Sequence, residues 1–133
     1  MKELTQVKKT VDRKHIGLYA KASGDFNPIH VDENFGKDSP FEDNIAHGMM
    51  IAATISEMMT LSFGSPWRET GTIKIRFRLP VYPGDIITTT GGVDKITELK
   101  NHRKFHCSID IVNQDGETVI SGNTSVTVPN NNS

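Results

Sequence analysis

The apolar positions change rhythm along this chain, and each rhythm predicts an element. Between Ile45 and Phe63 they are nearly continuous: Ile45, Ala46, Met49, Met50, Ile51, Ala52, Ala53, Ile55, Met58, Met59, Leu61 and Phe63, closed by Gly64-Ser65-Pro66. Such a run predicts a helix over about residues 45–63, buried on most of its circumference. Downstream the period drops to two. Ile73, Ile75, Phe77 and Leu79 alternate with Lys74, Arg76 and Arg78, as in a half-buried strand. Pro80 to Gly84 turns the chain into Asp85 to Thr97, a long strand in which Gly91-Gly92 predicts a bulge or bend. Phe105, Cys107, Ile109 and Ile111 alternate with His106, Ser108 and Asp110, and Asp115-Gly116 predicts a hairpin into Thr118 to Val128. Upstream of the helix, Leu4, Val7 and Val11 predict a short strand or extended arm, and Asp12 is a candidate N-cap for a short helix reaching Ala22. Ser23 to Pro28 is dense in turn formers, so a loop leads into Ile29-His30-Val31 and a polar segment ending at Asn44. One apolar helix followed by an antiparallel meander predicts an α+β fold in which a sheet of about five strands curls around the helix. Residues 1–128 are expected to form a single domain, with Pro129 to Ser133 a frayed tail.

Composition narrows the function classes. Fifteen Lys and Arg against sixteen Asp and Glu give a net charge of −1 over 133 residues, without the basic excess expected of a nucleic-acid-binding domain. The helix carries His47, Ser56 and Glu57 and falls short of the ~20 consecutive apolar residues of a membrane span. A lone cysteine, Cys107, on the same strand face as Phe105 and Ile109, reads as core. With no C-x-x-C pair and a polar N-terminus, the expected setting is cytoplasmic.

Two segments carry candidate chemistry. Asp25 and His30 flank the turn Phe26-Asn27-Pro28-Ile29, and a loop held by Pro28 and by an Asx-type contact from Asn27 aims carboxylate and imidazole at one small volume, as acid–base chemistry on a water requires. A purely local reading has Asp25 and Asn27 satisfying turn amides and His30 packing at a strand start. The second segment, Ala46-His47-Gly48-Met49, opens the apolar helix. Helix N-termini present unpaired N–H groups, and a glycine there lets a carbonyl oxygen approach. Its bland counterpart is tight packing at Gly48 with His47 as a cap.

Taken together, the stretch Tyr19 to Asp32 with its Gly24-Asp25-Phe26-Asn27-Pro28-Ile29-His30 core, the stretch Ile45 to Met49, and Phe77 to Val81 followed by Gly84-Asp85 resemble the MaoC-like (R)-specific enoyl-CoA hydratases of the hotdog superfamily. The resemblance covers about residues 19–128. It implies a hotdog fold and reversible addition of water across the trans-2,3 double bond of an enoyl thioester, giving the (R)-3-hydroxyacyl product. It assigns Asp25 and His30 to the water, His30 as proton acceptor and Asp25 as donor to the α-carbon. The Gly48 N–H becomes the oxyanion donor, and Ser56 matches a family serine near the pair. Asn27 and Pro28 orient the loop, and His47, Met49 and Met59 are expected to touch substrate. No metal and no cofactor are implied beyond the coenzyme A of an acyl-CoA substrate, or an acyl carrier protein (ACP) in its place, and the expected assembly is a homodimer.

Rival readings are a dehydratase running the reaction backwards, a hotdog thioesterase, a non-catalytic acyl-thioester-binding module, and a hydrolase with a metal held by Asp25, His30, Asp32 and His47. Lys74, Arg76 and Arg78 read as a solvated strand face, with contacts to coenzyme A phosphates as the alternative. His102 and His106 are expected to face solvent, and Glu57 has no partner visible in the sequence.

Overall fold

The computed structural model describes residues 3–130. The chain runs through β1 (Val7–Thr10), α1 (Arg13–Ser23), α2 (Pro28–Val31), α3 (Glu33–Lys37), α4 (Gly48–Phe63), α5 (Ser65–Thr70), β2 (Thr72–Phe77), β3 (Ile86–Leu99), β4 (His102–Val112) and β5 (Thr118–Pro129). The strands form a five-stranded antiparallel sheet in the order β1-β3-β4-β5-β2. The α+β architecture expected from the alternation is therefore present.

The helix-before-meander picture needs one correction. β3, β4 and β5 form a meander, but β2 pairs with β5 at the opposite edge from β1. Gly122 permits this: it faces Ile75 across the pair, and a Cβ there would intrude on the Lys74 carbonyl. The strand also stops at Phe77 instead of continuing to Leu79. In β3 the register slips between Val93 and Lys95, just beyond the glycine pair expected to mark the bulge.

The central helix begins at Gly48, not at Ile45: Ala46 gives its N–H to Val81 O at 2.7 Å, and His47 is extended at φ −62° and ψ 130°. Ile51, Ala52, Ile55, Met58 and Met59 of α4 join Ile109, Ile111, Val119 and Val126 of the sheet in one buried cluster, each large side chain adding about 1.5–3 kcal/mol of burial. The helix is not buried all round, since Met49 and Leu61 are exposed. Glu57 is satisfied by Lys9 Nζ at 2.7 Å, a partner on β1 that sequence spacing does not reveal. Gly64 ends the helix as expected, its N–H bonding Thr60 O, and Ser65 then opens the short helix α5, whose Trp67 is buried. Pro129 closes β5 rather than opening a tail, and Asn130 donates to Asn101 O at 2.9 Å. Residues 131–133 lie outside the described residues.

Cys107 is buried in the sheet, as its strand phase predicts. Burial pushes its thiol pKa up from the ordinary 9.0; Asp94 adds to the shift and a hydrogen bond with Thr124 opposes it. The unfolded chain releases that proton first, so the stability gained by keeping the thiol neutral is whole below pH 9.0 and declines as pH rises above it. Chemical denaturation from pH 8 upward should show the parent losing stability relative to Cys107→Val above about pH 9; parallel curves would contradict this.

Candidate active site

The segment between α1 and α4 carries the expected acid–base pair, and its backbone is more ordered than turn-rich composition predicts. Asp12 caps α1 through His15 N at 2.8 Å, and Gly24 ends it in the left-handed conformation at φ 79°. Asp25 Oδ1 then accepts from Asn27 N at 3.1 Å, and Asn27 Oδ1 from Ile29 N at 3.1 Å. With Asn27 as N-cap and Pro28 at the first helical position, the chain makes the one-turn helix α2 directly out of the expected loop, so His30 lies in a helix and not at a strand start. Asp32 repeats the device, accepting from Asn34 N and Phe35 N to start α3.

Asn44 fastens this segment to the body. It is fully buried, its amide donates to Ile29 O at 3.0 Å and Asp32 O at 2.8 Å, and its Oδ1 accepts from Arg13 at 2.7 Å. Gly36 lies so close that a Cβ there would sit 2.6 Å from Asn44 N. Asn44 is not among the residues expected at the site, and its one signal in the sequence is a lone amide at the junction of the polar stretch with the apolar run.

His30 thereby comes under α4. Its Nδ1 lies 2.7 Å from Ile45 O, and because a carbonyl only accepts, the proton resides on Nδ1 and the Nε2 lone pair is free. Nε2 stands 4.0 Å from Asp25 Oδ2, with Asp25 half exposed and His30 nearly covered. That separation is too long for a direct hydrogen bond but equals the span of two ~2.8 Å bonds meeting at one oxygen at roughly a right angle. Gly48 is the first residue of α4, so its N–H lacks an intrahelical partner and finds no other among the described residues.

Two cavities meet here, each of about 320 Å³. One borders His30, Ala46 and Gly48 and is largely apolar; the other borders Asp25, His47, Gly48 and Met49. Gly48 and Phe77 line both, and a Cβ on Gly48 would come within 2.8 Å of the Phe77 ring. Phe77, expected as a strand residue and part of the stretch that carries the resemblance, is thus also a wall of both cavities.

Of the remaining expected residues, Met49 is 62% exposed beside Asp25 and His47. Met59 is not at the site: it is fully buried in the core, its sulfur accepting from Thr124 Oγ1 at 3.3 Å. Ser56 is half-buried two turns further along α4 and borders neither cavity. His47 is 2% exposed and occupies the N-cap position without a side-chain cap bond; its Nε2 lies 2.9 Å from Asp25 O. His106 is half-buried, with Nε2 3.1 Å from Thr97 Oγ1, whereas His102 is exposed as expected.

Asp25, His30 and His47 bring ligand-type atoms within 4.8 Å of one another, but Asp32 is spent on capping α3. The two imidazoles stack, with centroids 3.9 Å apart and planes at 23°. Their in-plane lone pairs therefore run side by side instead of converging on a point about 2 Å from each, as a shared zinc-like ion demands.

The model of the MaoC-like domain family matches residues 1–114. The chain belongs to this family. It is 32% identical over 121 residues to the (R)-specific enoyl-CoA hydratase of Rhodospirillum rubrum, covering 91% of this chain and 82% of that one. It is 30% identical over 127 residues to the 3-hydroxybutyryl-CoA dehydratase of Methylorubrum extorquens, covering 95% and 79%. The solved (R)-hydratase of Aeromonas caviae involved in PHA biosynthesis superposes with a TM-score of 0.81 at 26% identity, covering 96% of this chain and 95% of that one. No helix among the described residues is long and apolar enough to cross a membrane.

Replacing Asn44 with Ala removes a fully buried amide together with its bonds to Ile29 O, Asp32 O and Arg13, although each of those groups keeps a second partner in Ile45 N, Gly36 N and Asp43. It should lower stability by about 2 kcal/mol in chemical denaturation, with proteolytic nicking appearing first between residues 26 and 43. Unchanged stability would refute the role given to Asn44.

Proposed function

We propose that this MaoC-family chain is a hydro-lyase that adds water reversibly to trans-2-enoyl thioesters, giving (R)-3-hydroxyacyl thioesters, with Asp25, His30 and Gly48 as its catalytic groups. The observation that carries this reading is the 4.0 Å gap between His30 Nε2 and Asp25 Oδ2 beside an unpaired Gly48 N–H. A water in that gap gives a proton to the His30 Nε2 lone pair as its oxygen bonds to C3. The C2–C3 π electrons move toward the thioester carbonyl, whose growing negative charge is met by the Gly48 N–H and the positive end of α4. Asp25, as the carboxylic acid, then delivers a proton to C2. Atoms balance, and passage of the proton from His30 to Asp25 through a water resets the pair. No step requires a redox cofactor or a metal. The reverse direction is the dehydratase reaction, and relatives named for each direction support assigning one site to both.

Asn27 and Pro28 hold the turn. Met49 and the Phe77 ring are well placed to meet the acyl group, and His47 belongs to the support of the pair. Coenzyme A is the carrier we assign, in keeping with the names of two of the relatives, with ACP the alternative, and the cytoplasm is the expected compartment. We further propose a homodimer. β2 is an open edge whose Ile73 and Phe77 are exposed, and pairing with a second copy satisfies the edge amides and covers these side chains.

The test is loss of the conjugated thioester absorbance of a short trans-2-enoyl-CoA, with chiral analysis of the product. Asp25→Asn and His30→Gln should each lower kcat by about 10²–10⁴-fold, and the product should be the (R) enantiomer. An inactive parent, or variants equal to it, would refute the assignment. Sedimentation at micromolar concentration should give the dimer mass; a monomer would refute the second proposal.

A further inference from the structure

His47 is the one described residue with a buried side-chain nitrogen that finds no protein partner. Its Nε2 faces the Asp25 carbonyl at 2.9 Å, which requires the proton on Nε2 and leaves Nδ1 as a bare lone pair with no donor. An unsatisfied buried polar atom calls for a compensating reason, since an aromatic hydrocarbon of similar shape would avoid it. The reason is not helix capping: His47 sits at the N-cap of α4 and makes no side-chain cap bond. Instead the ring touches both halves of the acid–base pair. It bonds the main chain of Asp25, and it lies against the His30 ring with centroids 3.9 Å apart, while Tyr19 of α1 packs on it at 4.8 Å. Gly48, the proposed oxyanion donor, is the next residue in the chain.

We infer that His47 is a positioning residue for the hydration reaction: its Nε2–H ties the Asp25 turn to the start of α4, and its face sets the plane of the His30 ring. It transfers no proton itself. The inference rests on the reading of Asp25 and His30 as the catalytic pair. A rigid link is needed because the acid–base groups and the Gly48 N–H come from separate segments yet act on adjacent atoms of one substrate, where misplacement by ~1 Å costs up to about a hundredfold in rate.

The test uses full-length His47→Phe, which keeps a stacking ring but loses the donor, and His47→Gln, whose amide restores an N–H directed at Asp25 O. With a short trans-2-enoyl-CoA, His47→Phe should keep its thermal midpoint and a KM within about twofold of the parent while kcat falls roughly tenfold to a hundredfold. His47→Gln should recover a substantial part of that loss. An unchanged kcat in folded His47→Phe overturns the inference, as does a loss that merely follows the unfolded fraction. So does a His47→Gln variant as inactive as His30→Gln, which would make His47 a proton-transfer group. Nitrogen-15 NMR of the parent gives a readout independent of turnover. The expected spectrum has His47 protonated on Nε2 and His30 on Nδ1. A His47 proton on Nδ1 would remove the link even in an active enzyme, whereas the expected tautomers in an inactive protein would leave the link standing and sink only the assigned reaction.

Discussion

The Asn44 side chain is the interaction on which the site depends. The residues between α1 and α4 add no strand to the sheet, and of the two short helices they form, neither is long enough to persist alone. Their order comes from a buried amide that collects carbonyls from Ile29 and Asp32 and is itself held by Arg13. Because Ile45 N–H bonds back to Ile29 O, the strip entering α4 and the turn carrying His30 are fixed to each other. The proposed acid–base pair is thus carried by a segment that Asn44, with the Ile45 and His47 links beside it, fastens to the body, while the proposed oxyanion donor belongs to the helix that the sheet buries.

This division explains what could be read in advance. The α4 helix and the long strands announce themselves because burial imposes a period on many residues at once, and an error at any single position does not matter. That Asp25, His30 and Gly48 come together was legible because the spacing and turn chemistry of each segment are local, and the resemblance joined two segments that neither motif alone would connect. The pairing of β2 with β5 was not legible, since strand alternation says which face is buried and nothing about which edge is shared. The helices α2 and α3 were masked by loop-like composition, although Asn27-Pro28 and Asp32 are capping signals.

Single-residue expectations on α4 fared unevenly for a related reason. A helix that is apolar almost throughout does not disclose its rotation about its own axis, so Met49 and Met59 looked alike in sequence. One is open to the cavity beside Asp25 and the other is packed against Thr124. Glu57 and Asn44 show the converse: a polar residue beside apolar neighbours signals that a partner exists, while the partners, Lys9 and Arg13, come from distant parts of the chain.

Both histidines of the site have their tautomers set by main-chain carbonyls, Ile45 O for His30 and Asp25 O for His47. A carbonyl of the backbone survives any substitution that preserves the chain path. The walls of the two cavities, by contrast, are side chains such as Met49, Phe77 and Leu79. On the proposed reading, acyl preference is therefore free to drift through replacement of the walls while the location of each proton is kept by the main chain, so one such core can serve chains that differ widely in what they accept.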